Sequence, residues 1–269
     1  MNPRADEIVF GFVVFRAGCS LLERLHMVLG EGYKVYLYDN SPECAEVREA
    51  IQGRPDAVYL TAGRNVGLGV GLSSICAQAY YDGQKALLFL DQDTVLQPGA
   101  LSSMSDFYRS RRSELHGYCA VNFDPARTGD AVPRSRLRDV SIIINSGTLF
   151  ILDSLERMNW HDTSYFVDGV DYKFCLDAQL CNFRIGMYSG IDGFDHETEQ
   201  GNEPYRILNR IYPARRYSLS RIFDVARSYS RIVLCSIRSG RWGFGVKILR
   251  LLAAYLLIQA YVRLLKPQE

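Results

Sequence analysis

Residues 87–93 read Leu-Leu-Phe-Leu-Asp-Gln-Asp, four apolar residues feeding directly into two carboxylates two positions apart. Such an apolar run reads as a buried strand. In an open α/β sheet the carboxyl end of a strand is where ligands bind. Asp91 and Asp93 facing a cleft there can hold a divalent cation that carries phosphate groups. The pattern predicts a metal–diphosphate site with an activated nucleotide as substrate. The competing reading is a strand followed by a solvated acidic turn.

The elements that must position this pair follow from the surrounding pattern. Apolar runs at 8–15, 33–38, 57–60 and 86–90 read as strands, and helical spacing at 20–29, 47–52 and 70–81 alternates with them. Strand–helix alternation implies a mostly parallel sheet with helices on both faces. Past residue 98 the pattern predicts helices at 98–111, 149–158 and 172–181 and strands at 140–144 and 185–188. Residues 124–138, with Pro125, Pro133 and several arginines, read as a surface loop. After His196 the chain reads as basic and helical.

A length of 269 residues fits one large domain, or one domain with an appendage, and 48% apolar content supports a full core. The seven cysteines form neither a C-x-x-C pair nor a Cys/His cluster of zinc spacing, which predicts reduced thiols in a cytosolic compartment. Residues 1–7 lack the pattern of a secretory signal, so none is expected. The net charge of +1 hides an asymmetry. Residues 205–269 hold 13 Lys or Arg against Asp224 and Glu269, a net +11, which leaves −10 for residues 1–204. The expected division is therefore an acidic domain at 1–204 and a basic helical extension at 205–269, the latter facing an anionic partner.

A series of short motifs completes the picture: Asp39-Asn40-Ser41, Asn65-Val66-Gly67-Leu68-Gly69, Phe89-Leu90-Asp91-Gln92-Asp93-Thr94, Asn145-Ser146-Gly147-Thr148-Leu149, Phe166-Val167-Asp168-Gly169-Val170-Asp171, His196 and Arg215-Arg216-Tyr217. In this order and spacing the chain resembles the family-two inverting glycosyltransferases of the GT-A fold, over about residues 8–222. It looks most like the branch labelled rhamnosyltransferase, which works on bacterial surface polysaccharides. The resemblance implies an α/β GT-A fold, a mixed and mostly parallel central sheet flanked by helices.

It also implies roles. Asp91 and Asp93 would hold Mg2+ or Mn2+ against both phosphates, with His196 near the metal; the plainer reading of His196 is an ordinary surface histidine beside Asp195 and Glu197. Asp39 would accept the imide N–H of a uracil or thymine ring, beside Asn40; the plainer reading of Asp39 is a turn-forming residue before Pro42. Asn65 would fix a loop in which Gly67 lets backbone approach a ligand; the plainer reading of this turn is a strand–helix connection. Gln92 belongs to the donor motif, and Asn145, Ser146 and Gly147 would form a wall near the acceptor. Asp171 matches the general base, with Asp168 supporting it or binding the acceptor; helix capping is the alternative for both. A helix N-terminus lowers a carboxylate pKa whereas burial and a nearby acid raise it, so sequence leaves the protonation of Asp171 open. Arg215 or Arg216 would pair with the diphosphate, against the alternative of membrane-facing charge.

Two departures from the family pattern stand out. The first strand ends Val14-Phe15-Arg16 rather than in a Thr-Tyr-Asn form. The helix after Asp171 carries Lys173 and Asp177 where the family has an acid and then an arginine. These bear on the choice of sugar more than on the class of enzyme.

In the basic extension the longest charge-free stretch is residues 251–262, short of the roughly 20 needed to span a bilayer. Lys247, Arg250, Arg263 and Lys266 flank it. The expectation is a helix lying on the inner face of the cytoplasmic membrane, against the alternative of a core helix or dimer contact. The implied function is transfer of a hexose, such as L-rhamnose from dTDP-rhamnose, to a surface polysaccharide or lipid-linked glycan. The alternatives are a UDP-hexose or galactofuranose donor, or a non-catalytic membrane-surface or nucleic-acid-binding protein on this fold; no nucleic acid is expected as a partner.

Overall fold

The apolar runs ending in Val14, Asp39, Thr61 and Asp91 lie side by side in an eight-stranded sheet. The computed structural model describes residues 8–41, 45–96, 99–123, 136–190, 194–196, 203–207 and 210–264. It divides into two compact units, Met1–Asp195 and His196–Glu269.

In the first unit β1 (Val9–Val14), β2 (Val35–Asp39), β3 (Ala57–Thr61) and β4 (Ala86–Asp91) run parallel in the order β3-β2-β1-β4. Helices α1 (Cys19–Gly30), α2 (Ala45–Ile51) and α3 (Leu68–Tyr81) connect them, as the alternating pattern predicts. Beyond the short β5 (Thr94–Leu96) and α4 (Ala100–Arg111), β6 (Tyr118–Phe123) enters the sheet; β7 (Leu137–Asp139), β8 (Thr148–Ile151) and β9 (Arg184–Tyr188) then complete the order β4-β8-β6-β9-β7. β8 runs antiparallel to both β4 and β6. α5 (Leu152–Arg157) and α6 (Val170–Leu180) follow β8. Phe10, Phe12, Leu25, Leu88, Met104 and Phe107 belong to the core on one face of the sheet.

Two expectations fail here and one strand goes unforeseen, each for a physical reason. The run at 149–158 begins as β8 rather than a helix, because Thr148–Ile151 is buried between two strands and only α5 is helical. A short apolar run of this kind does not distinguish strand from helix by periodicity. The fully buried strand β6 has no polar alternation to reveal it, and it was not expected. The strand expected at 140–144 lies instead at Leu137–Asp139, paired with Tyr188, Met187 and Gly186. Past Val140, whose N–H bonds the Ile185 carbonyl, the chain leaves the sheet. The buried Ile143 then turns to α6, where its N–H meets Cys175 Sγ at 3.4 Å. Most of the loop expected at 124–138 lies outside the described residues.

β10 (Phe194–His196), on which the first unit ends, pairs with β5 in a small sheet. The second unit is not helical from its start. An antiparallel hairpin of β11 (Glu203–Ile207) and β12 (Arg210–Ala214) precedes α7 (Leu219–Arg238) and α8 (Trp242–Leu264). Cys76, Cys119, Cys175, Cys181 and Cys235 are free thiols.

Candidate active site

The register of the parallel strands builds one edge of the site. Asp39 pairs with Val14, and Asp91 with Val13, so both carboxylates stand at the carboxyl ends of strands flanking β1. Strands two places apart are separated by roughly 10 Å, enough to seat part of a nucleotide across β1.

Asp91 ends β4, and the chain turns through Gln92 and Asp93 into β5. Gln92 braces this turn. Its Oε1 accepts from Phe15 N–H at 2.8 Å, and its carbonyl accepts from the buried guanidinium of Arg24. Asp91 and Asp93 are both half-buried.

The Asn145-Ser146-Gly147 turn joins this edge to Asp171. Gly147 N–H donates to Phe89 of β4 at 2.9 Å, and Asp91 N–H donates to Ser146 Oγ at 3.3 Å. Ser146 Oγ also bonds Thr94 Oγ1 at 3.0 Å. Asn122 holds the turn from β6, donating to the Ser146 carbonyl at 2.8 Å and to Thr148 Oγ1 at 2.9 Å. Asn145 Nδ2 donates to the Asp171 carboxylate. Asn145 and Ser146 thus link Asp171 to the acidic turn through adjacent residues.

Asp171 is the second residue of α6, after Gly169, whose φ of 89° turns the chain into the helix. Its pKa rises from 3.8 to about 7, chiefly because burial penalises the charge, then because of the negative charges of Asp91 and Asp168. Hydrogen bonds from the Asp171 and Asn145 backbone pull the other way and lose. Burial and like charge thus raise the Asp171 pKa despite these bonds. Gly169 occupies the N-cap position of α6, two residues before Asp171.

Asp39 is fully buried, with both oxygens engaged. One accepts from Ser41 N–H at 2.7 Å and the other from Tyr59 OH at 2.8 Å. The turn-forming geometry therefore exists, and each oxygen keeps a lone pair. Asn40 clamps the next loop from both ends of its amide: Oδ1 accepts from Val66 N–H at 3.0 Å, and Nδ2 donates to the Gly67 carbonyl at 3.2 Å. Asn65 Oδ1 accepts from Gly67 N–H at 3.0 Å, closing a turn over two residues.

The glycines of this loop make room for the protein itself. A Cβ on Gly67 would stand 2.4 Å from the Phe166 carbonyl oxygen, and one on Gly69 2.5 Å from that of Tyr165. Leu68 N–H donates to the Phe166 carbonyl. On the side where a Cβ would project, the space at Gly67 is taken by the segment leading to Asp168 and Asp171.

A three-residue ion cluster, not foreseen from sequence, holds that segment from the opposite face of α6. Lys173 Nζ lies 2.6 Å from Asp177 and 3.3 Å from Asp162. Burial pushes the Asp177 carboxyl above its usual range even with Lys173 against it. The three line a polar cavity of about 440 Å3 with Trp160, His161 and Thr163. Lys173 and Asp177 form an i,i+4 ion pair on α6. Lys173→Met should lower stability by about 2 kcal/mol, because two partly buried carboxylates lose their counter-charge. Lys173→Met/Asp177→Leu should recover part of that loss in chemical denaturation, and a double variant no more stable than the single would contradict the pairing.

His196, Arg215 and Arg216 belong to the second unit. The His196 side chain lies outside the described residues. Arg215 and Arg216 are exposed, and the Arg215 carbonyl accepts from Gln259 Nε2 at 2.9 Å. Among the described residues no group of three or more His, Cys, Asp or Glu side chains is arranged to hold a metal ion. Asp91 and Asp93 are two carboxylates, which fits a cation that draws its other ligands from phosphates and water. The repulsion Asp91 exerts on Asp171 marks a concentration of negative charge that a cation would relieve. Residues 59, 122 and 162 carry no motif of their own, and only the strand register and loop packing bring them to the site.

No protein-family model matches the chain, and no curated protein matches its sequence. Solved structures do. S. aureus TarS residues 1–349 align with a TM-score of 0.56 and 14% identity, over 85% of this chain and 64% of that one. A longer TarS structure aligns at 0.57 and 14%, over 92% of this chain and 43% of that one. TarS 1–349 in complex with UDP-GlcNAc aligns at 0.50 and 13%, over 84% and 66%. GalNAc-T7 with UDP, GalNAc and Mn2+ aligns at 0.58 and 10%, over 84% and 48%. The chain thus spans less than two thirds of the first two structures and about half of GalNAc-T7. At these identities the likeness is one of fold, and with its mostly parallel sheet and antiparallel β8 the first unit has the GT-A fold.

Proposed function

We propose that the protein is an inverting glycosyltransferase that moves a hexose from a nucleoside-diphosphate sugar to an alcohol. The observation that carries this reading is Asp171: a carboxyl raised to about 7, linked through Asn145 and Ser146 to the acidic turn at Asp91. A general base works best with a pKa near the working pH. In the reaction the acceptor hydroxyl gives its proton to Asp171. Its oxygen forms a bond to the anomeric carbon on the face opposite the diphosphate, and the bond to the diphosphate breaks, the electron pair leaving with the phosphate. Mg2+ or Mn2+ held by Asp91 and Asp93 would neutralise charge on the departing diphosphate. Asn145 orients Asp171, Gln92 fixes the acidic turn, and Asp39, at the carboxyl end of β2, would accept from the base ring.

The sugar donor is dTDP- or UDP-linked. TarS in complex with UDP-GlcNAc and GalNAc-T7 with UDP, GalNAc and Mn2+ support a nucleotide-sugar donor and a divalent cation. The motif order supports L-rhamnose as the hexose and a surface or lipid-linked glycan as acceptor. A thermal-shift screen of dTDP- and UDP-sugars with and without Mn2+ tests the reading. One nucleotide class should raise the melting temperature by several degrees, and only with metal. Indifference to every nucleotide sugar in the presence of metal would remove it.

A further inference from the structure

The second unit exposes an apolar surface that its own fold does not cover. α7 and α8 are joined by a short turn in which Gly240 has φ 73°, so they form an antiparallel helical hairpin. Val225, Ser228, Ile232 and Ser236 on α7 and Phe244, Ile248, Leu252 and Val262 on α8 are the buried faces. Near the turn a Cβ on Gly245 would stand 3.2 Å from Ser236 Cβ, so small residues let the helices close up.

What α8 leaves outside is apolar on more than one side. Trp242, Val246, Leu249, Leu256, Leu257 and Leu264 follow helical spacing along one exposed stripe, with Trp242 63% and Leu257 71% exposed. Leu251 and Ile258 are exposed on a second side. A partner helix would cover one stripe; a fluid apolar phase covers both. α7 adds exposed Leu219, Phe223, Leu234 and Ile237 beside the exposed Arg227 and Arg238. α8 contains Lys247, Arg250 and Arg263 and no acid.

We infer that the α7–α8 hairpin docks on the surface of an anionic lipid bilayer, its exposed leucines in the acyl boundary and its basic residues among the headgroups. The net charge of +11 over residues 205–269 supplies the complementarity. α8 is a 23-residue helix long and apolar enough to cross a membrane by length and composition, more than the charge-free stretch at 251–262 suggests. It lies flat for two reasons. The charge-free stretch spans only about 18 Å against a hydrocarbon core of roughly 30 Å. α7 packs along α8 and would bring Arg227 and Arg231 into the hydrocarbon. Within the unit, Gln259 and Arg263 tie α8 to the Arg215–Tyr217 segment, so the docked helix holds two further arginines in place.

The test is sedimentation of the full chain with vesicles of phosphatidylcholine alone or with about a third phosphatidylglycerol. The account expects binding to the anionic vesicles that weakens with salt, and at least tenfold weaker binding for Leu249→Glu/Leu257→Glu with unchanged thermal melting. Failure of the wild type to bind anionic vesicles would overturn it. So would a lipid-free dimer that these substitutions dissociate, since a second copy would then be the occupant. The result stands apart from glycosyl transfer, because the readout is binding alone.

Discussion

Asp171→Asn is expected to reduce transfer by about 10^3-fold while leaving metal-dependent nucleotide binding nearly intact. The substitution keeps the acceptor oxygen for Asn145 Nδ2 but removes the group that takes a proton. In the wild type kcat/KM should fall tenfold per pH unit below about 7, where Asp171 becomes protonated. In kcat that limb should lie at lower pH, because a cation beside Asp91 offsets one of the charges that raise the Asp171 pKa. The residual activity of the variant should lack this limb. Stability carries the same signature. A carboxyl with a raised folded pKa binds its proton more tightly when folded, so wild-type stability drops as pH climbs from about 4 to about 7 and stays reduced above. Asp171→Asn removes that loss. Its melting temperature should exceed the wild type's by a few degrees at pH 8 and match it near pH 4. Equal melting at both pH values would show that Asp171 is not held at a cost.

Gly67→Ala should cost roughly 2–5 kcal/mol of stability, combining an unfavourable backbone conformation with a clash. Gly67 has φ 90°, and its added Cβ would meet the Phe166 carbonyl oxygen at 2.4 Å. Gly83 is the control. Its φ is 85° but nothing lies within 4 Å of the added Cβ, so Gly83→Ala should cost about 1 kcal/mol. Chemical denaturation of both variants separates the two contributions, and equal losses would show that Phe166 moves away freely. Because Phe166 belongs to the segment leading to Asp168 and Asp171, the same variant should also weaken transfer.

The contrast between these two residues shows what sequence can carry. The buried run ending at Asp91 and the alternation before it depend on local pattern, and they place the acidic turn correctly at the edge of a parallel sheet. Gly67 was legible as a position needing space, but not what takes the space, since Phe166 lies far along the chain. Tyr59 on Asp39 and Asn122 on Ser146 depend on strand register, which no local spacing encodes. β6 and β8 are not legible in the sequence because a strand buried on both faces has no alternation. The protonation of Asp171 needed the burial and the approach of Asp91, both products of tertiary structure.

In the proposed division of labour Asp91 and Asp93 would grip the diphosphate through a cation while Asp171 would deprotonate the acceptor. Calorimetric titration of a nucleoside diphosphate with Mn2+ into wild type, Asp93→Ala and Asp171→Asn tests it most directly. Asp93→Ala should lose the metal-dependent component of affinity, at least tenfold, and Asp171→Asn should keep it. Unchanged affinity in Asp93→Ala, or an equal loss in Asp171→Asn, would contradict it.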